Sequence, residues 1–275
     1  MHSNGPRLFV VATPLGNLGD IAPRAREVLA SADLVLAEDT RRAGLLFQHL
    51  GLASPSFLSL HEHNETARIP EVLTHLEEGA TIALVSDAGT PLIADPGYRL
   101  VRACREAGYQ VSPVPGPSAV ATALSASGLP PYPYVFLGFL PRSSGERRRT
   151  LEPYAGLKAT LVFFERLSRL PATLEDVQAV LGEREACVAR ELTKLHEEFI
   201  LFRLGDWSDP EGTLKGEATV LIGPPEVREA SAKEVDGIIV EERALGGGTK
   251  EVARRVHARV EGWTVKEIYE RIGRR

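Results

Sequence analysis

The chain predicts an α/β fold of two domains followed by a small helical tail, and three observations carry that expectation. Short β-type runs alternate with helix-period segments up to about residue 120, the pattern of a parallel sheet covered by helices. Past residue 130 the strand-like runs are spaced irregularly, as in a mixed sheet. From about residue 227 onward helical spacing dominates.

Taken in order, residues 8–12, 33–37, 81–86 and 110–114 read as strands, and apolar residues recur at helical spacing over 23–32, 41–50, 69–78 and 98–107. A small-residue helix over 119–127 then meets the Pro-rich run 128–133, which places a domain boundary nearby. The expected division is 1–116, 117–226 and 227–275. In the second domain 160–164, 186–189, 199–204 and 219–222 are strand-like and 172–181 is helical. Within the tail, 237–240 is the one candidate strand, and helices fit 250–260 and 265–272. Thr264 with Glu267 three residues on reads as a capping box.

No stretch of the 275 residues approaches the roughly 18–20 consecutive apolar residues of a membrane-spanning helix, and the polar start lacks a signal peptide's apolar region. The expectation is a soluble, cytoplasmic protein with no membrane partner. Cys104 and Cys187, neither in a ligand-like spacing, read as small buried hydrophobes. The net charge of −5 argues against a broad basic surface. Charge is unevenly placed, however: nine Lys or Arg stand against four Asp or Glu from Arg243 to Arg275. Arg142, Arg147, Arg148 and Arg149 form a second basic group, in a loop entering a helix. Either group offers a polyanion a restricted docking place or is a solvated helix face.

Chemistry is sought in loops at the carboxyl ends of strands, where an open α/β sheet exposes backbone groups. The run Ser86-Asp87-Ala88-Gly89-Thr90-Pro91-Leu92-Ile93-Ala94-Asp95-Pro96-Gly97 is the richest such loop. Asp87 is suited to accept hydrogen bonds from a ligand, Gly89 permits close approach or a positive φ, and Asp95-Pro96 reads as the cap and first residue of the next helix, with ligand contact the alternative for Asp95. After residues 110–114, Pro117 suits a first helical turn whose free amides attract a carboxylate, and Ser118 is either a ligand contact or a cap. In the turn Thr13 to Asp20 the glycines lie three apart, which excludes the dinucleotide fingerprint and the phosphate loop. Glu38-Asp39-Thr40-Arg41-Arg42 either sets two carboxylates beside two guanidiniums for chemistry or caps a helix through Asp39 or Thr40. His61-Glu62-His63-Asn64-Glu65 has the look of a metal cluster, but no further ligand motif completes a site, so no metal is expected.

Together these stretches resemble the tetrapyrrole methylase family, and the likeness runs through Ala12 to Asp20, Glu38 to Arg41, His61 to Glu65, Ser86 to Gly97, Pro115 to Leu129, Gly138 to Pro141 and Arg190 to Lys194. Members of that family bind S-adenosylmethionine in a cleft between two α/β domains and usually work as homodimers. The branch that looks closest methylates the 2′-hydroxyl of a cytidine ribose in 16S ribosomal RNA. The resemblance implies that Leu15, Asp87, Ala88, Gly89, Ile93, Ser118 and Ala119 line the cofactor cleft from the first domain, and Phe164, Leu192 and Ala218 from the second. It implies small-subunit ribosomal RNA, free or in the 30S subunit, as partner, and the two basic groups then offer Arg147, Arg148, Arg149, Arg254, Arg255 and Arg259 as candidate anchors. A methyl transfer to a hydroxyl also calls for a base, for which Glu38, Asp39 and His63 are the candidates. One departure stands out: where the branch shows a Tyr-Glu-Ser-Pro-His-Arg type run, this chain has Phe164-Glu165-Arg166-Leu167-Ser168-Arg169. Rival readings are a tetrapyrrole methyltransferase, a diphthine methyltransferase and a non-catalytic RNA-binding module.

Overall fold

The computed structural model describes residues 7–207, 216–226 and 230–274. The chain divides into two compact units, Met1–Pro224 and Pro225–Arg275.

In the first unit, β1 (Arg7–Val11), β2 (Leu34–Ala37), β3 (Ser56–Ser59), β4 (Thr81–Val85) and β5 (Gln110–Val114) form a sheet of order β3-β2-β4-β1-β5 in which every pairing is parallel. Parallel neighbours need crossovers, and these are α1 (Pro23–Ser31), α2 (Thr40–Leu50), α3 (Glu65–Glu77) and α4 (Tyr98–Glu106). The helices cover both faces. Leu8, Leu36, Ile82 and Leu84 pack on one side with Leu76 and Leu100, while Val11, Val35, Ala83 and Val85 pack on the other with Leu29 and Phe47. The edge strand β3 was not foreseen; Ser56 and Ser59 flank only two apolar residues, and it gains its place by pairing with β2.

After α5 (Ala119–Ala126), a second sheet is built from β6 (Tyr134–Phe139), β7 (Thr160–Arg166), β8 (Glu185–Arg190), β9 (Glu198–Arg203) and β10 (Glu217–Ile222), in the order β6-β7-β10-β8-β9. Only β6–β7 is parallel, so the sheet is mixed, as its irregular spacing implies. On it lie α6 (Ser144–Leu151) and α7 (Leu170–Leu181), with Phe163, Val188 and Val220 in the shared core. Arg184 is fully buried there, its guanidinium donating to the carbonyls of Leu181, Tyr154, Ala155 and Gly223. Cys104 and Cys187 are buried, which pushes both thiols up to about 11.

The second unit holds α8 (Ala232–Ala244), α9 (Thr249–His257) and α10 (Val265–Gly273) around Val235, Ile239, Val252, Val256, Ile268 and Ile272. Residues 237–240 are therefore helical, not a strand. Their β-branched run favours a strand locally, but a Ser231–Glu234 capping box starts a helix whose spacing buries Val235, Ile239 and Glu242 together. The expected Thr264–Glu267 box is present on α10. Residue 227, where the tail domain was expected to begin, lies outside the described residues.

Candidate active site

Because all five strands of the first sheet run in parallel, the loops after β1, β2, β4 and β5 share one edge. Hydrogen bonds sew them together: the Thr13 and Gly89 amides and carbonyls exchange bonds of 2.8 and 3.0 Å, and the Thr90 hydroxyl donates to the Pro117 carbonyl at 2.9 Å. Gly89 sits at φ +80°, a conformation that side-chain-bearing residues rarely adopt, and a Cβ there would stand 3.1 Å from the Leu15 side chain. Leu92 and Ala94 are also left-handed, at φ 71° and 68°. Side chains rarely tolerate that region, and such residues persist where the surroundings impose them.

The second sheet brings its own edge to the same place. Antiparallel register sets Thr219 opposite Phe164 and Ala218 opposite both Glu165 and Arg190. One short segment of three strands therefore faces the loops. Phe164 is braced by Phe136 and Phe139, with ring centroids 5.0 and 5.5 Å away. The loop after β8 reaches across, and the Asn17 amide donates to the Thr193 hydroxyl at 3.1 Å.

Between the two walls lies a cleft of about 1790 Å³, larger than the roughly 300–1,000 Å³ that one small molecule fills. A cofactor and part of a bulky second substrate fit in it together. Leu15, Asp87, Ala88, Gly89, Ile93, Ser118, Ala119, Phe164, Leu192 and Ala218, named from the sequence, all line it. Their chemistry suits S-adenosylmethionine. Ser118 is the N-cap residue of α5, but its hydroxyl makes no capping bond, which leaves it and the helix amides for a carboxylate. Asp87 can meet an amino or hydroxyl group while paired with Arg42 at 2.7 Å, and the apolar side chains offer a surface for an adenine and a thioether.

Of the three acid–base candidates, only Glu38 lines the cleft. Its carboxyl is pushed up by burial and then by neighbouring Asp87, against the pull of His61 and Arg42. Asp39 instead caps α2, accepting from the Arg41 amide at 2.9 Å and pairing with the Arg41 guanidinium at 2.7 Å, which holds its carboxyl well below the usual range. His63 is exposed beside His61 at the start of α3 and is not among the lining residues. The nearby Glu65 is buried, and its Oε1 accepts from the Arg99 and Leu100 amides at 2.7 and 3.1 Å.

That last contact overturns the expected role of Asp95. Glu65 reaches over from α3 to satisfy the first turn of α4, whose N-cap residue is Gly97, and Asp95 is released into the cleft wall. Burial first, then Glu38, Asp87 and Glu217, push its carboxyl up to about 6, with the polar Ser86 side chain opposing. Arg42, one of the two guanidiniums after β2, lines the cleft as well, and so does Glu217, which sequence spacing did not single out.

The six arginines named as RNA anchors divide. Arg147 is only 4% exposed and is locked to Asp176, so it is removed from that role: reaching a phosphate would strip a buried carboxylate of its partner. Arg148 also binds Asp176, from a half-exposed position. Arg255 and Arg259 both pair with Glu242, at 2.8 and 2.7 Å. Arg149 and Arg254 are exposed, and among the described residues neither meets a carboxylate.

This two-walled cleft at a parallel sheet's carboxyl edge is that of a methylase: residues 7–207 match the family described as Tetrapyrrole (Corrin/Porphyrin) Methylases, and the chain belongs to it. Among its relatives, the ribosomal RNA small subunit methyltransferase I of Mesorhizobium japonicum is 41% identical over 97% of this chain and 91% of its own length. The protein of the same name from Escherichia coli O157:H7 is 50% identical over 78% of this chain and 77% of its own. In fold, the chain resembles a uroporphyrin-III C-methyltransferase from Thermus thermophilus complexed with S-adenyl homocysteine (TM-score 0.59, 18% identity, covering 79% of this chain and 97% of that one). It also resembles diphthine synthase (TM-score 0.63, 15% identity, 78% and 89%). Among the described residues no helix is long and apolar enough to cross a membrane.

Proposed function

We infer that this chain is an S-adenosylmethionine-dependent methyltransferase that places a methyl group on the 2′-hydroxyl of a cytidine ribose in small-subunit (16S) ribosomal RNA. The observation that carries this reading is the 41% identity that spans 97% of the chain, tail included, to a relative named for that RNA. Likeness to the uroporphyrin and diphthine enzymes supports the fold alone.

The cofactor supplies the electrophilic methyl group, and the protein's task is to hold it and the nucleophile in line. Leu15, Asp87, Ala88, Gly89, Ile93, Ser118 and Ala119 hold it from the first sheet and Phe164, Leu192 and Ala218 from the second. Arg148, Arg149, Arg254, Arg255 and Arg259 remain the proposed RNA anchors, with Arg149 and Arg254 the ones open to phosphate. We place the enzyme in the cytoplasm as a homodimer, with residues 1–116, 117–226 and 227–275 as its domains. Ribose methylation mapped on 16S RNA, from cells with and without the gene, tests the reading. One cytidine is expected to lose its 2′-O-methyl group in the deletion strain and regain it on complementation. An unchanged map would refute the assignment.

A further inference from the structure

We propose that Asp95 is the proton acceptor of the methyl transfer, the group that takes the proton from the ribose hydroxyl as its oxygen attacks. The inference rests on the ribose-methylation reading above.

Elimination among the carboxylates of the cleft leads to it. Asp87 is paired with Arg42, Glu217 with Arg166 at 3.6 Å and Glu191 with Lys194 at 3.1 Å, while Glu65 is committed to the amides of α4. A carboxylate held by a guanidinium or by amides is a weak base, because its charged form is already stabilised. Glu38, Glu62 and Asp95 are left, with no cationic partner in an ion pair among the described residues. Glu38, though partly desolvated, and Glu62 keep more of their surface in solvent than the half-buried Asp95. It stands in the loop that also carries Ala88, Gly89 and Ile93, so a base there is next to the wall assigned to the cofactor.

The surroundings then set its strength. Burial, followed by Glu38 after β2, Asp87 in its own loop and Glu217 on β10, raises the carboxyl to about 6, against the opposing influence of the Ser86 side chain. At neutral pH such a group is ionised, yet it holds a proton far better than an ordinary aspartate. In the step itself the ribose oxygen forms a bond to the methyl carbon while the carbon–sulfur bond breaks, its electron pair remaining on sulfur as a neutral thioether. The hydroxyl proton passes to Asp95, which becomes a neutral acid and returns it to water once the product leaves. His63 is not needed, nor is a histidine at position 168, where this chain has Ser168.

The test compares wild-type enzyme with Asp95→Asn and Asp95→Glu on 30S subunits, with S-adenosylmethionine affinity measured by titration. Asp95→Asn is expected to lower kcat by about 10²–10⁴-fold with cofactor affinity within about twofold, and Asp95→Glu to recover part of the rate. The wild-type kcat should rise through a midpoint near pH 6, and Glu38→Gln should move that midpoint lower by removing a negative neighbour. An Asp95→Asn enzyme within about tenfold of the wild type, or a wild-type kcat flat from pH 5 to 8, overturns the proposal; the second measurement needs no variant to fold. A wild-type enzyme that leaves the ribose unmethylated refutes the functional reading instead, and this one with it.

Discussion

The arginines of α6 and those of α9 look alike in sequence, three basic side chains on one short helical segment, yet the fold treats them differently. On α6, Asp176 of α7 accepts from Arg147, Arg148 and the Ser144 hydroxyl, and both Arg147 and Asp176 are nearly inaccessible. Arg147 places its remaining N–H groups on the carbonyls of Pro141, Arg142 and Ala172. On α9 and just beyond it, Glu242 of α8 accepts from Arg255 and Arg259, but those side chains remain 30% and 44% exposed. In the first cluster an inaccessible arginine, Arg147, meets an inaccessible aspartate, whereas in the second the glutamate is buried but both of its arginines keep contact with solvent. A basic patch in a sequence therefore counts as a polyanion site only after the acids that neutralise it have been subtracted.

The largest expected effect breaks the first cluster. Asp176→Ala leaves the buried Arg147 without its counter-ion and is expected to cost about 3–5 kcal/mol, read as a lower urea midpoint. A loss below about 1 kcal/mol would mean that the carbonyls alone satisfy Arg147. The sign of its pH dependence follows from the carboxyl: burial alone would raise it, but Arg148, Ser144 and Arg147 together hold it below the ordinary value of 3.8. Its stabilisation is thus complete above about pH 4 and is lost as pH falls below that.

A smaller effect is expected from Arg255→Ala with Arg259→Ala. Partly exposed pairs are screened by solvent and salt, so the melting temperature of the helical unit should fall less than Asp176→Ala lowers that of the first unit. The deficit should shrink in 1 M salt; a salt-independent loss would make Glu242 the counterpart of Asp176.

The smallest effect on stability, and the sharpest on RNA, belongs to Arg149→Ala and Arg254→Ala. Neither should change the unfolding midpoint. Each is expected to reduce the salt dependence of ribosomal RNA binding by about 0.7–0.9 in log–log slope, and an unaltered slope would assign both residues to solvent.

The same division runs through the whole molecule. Alternating strands and helices, the mixed second sheet and the loop from Ser86 to Gly97 were legible because hydrophobic periodicity and turn residues are local signals. The ten residues that the family resemblance implies for the cofactor all line the cleft, seven from the side of the parallel sheet and three from the mixed one. The β-branched run over 237–240 misled for the opposite reason: its helical state depends on what Val235 and Ile239 pack against.

What the sequence determined by itself is the order of elements and the family's loop motifs, because backbone preference and apolar spacing act between near neighbours. Only the tertiary structure decided which charged groups are available for chemistry. Asp95 was freed because Glu65, distant in sequence, caps α4 in its place. Arg147 was withdrawn by Asp176, which lies on another helix. A charge's role depends on its partner and its exposure, and both are set by contacts between segments that no local pattern records.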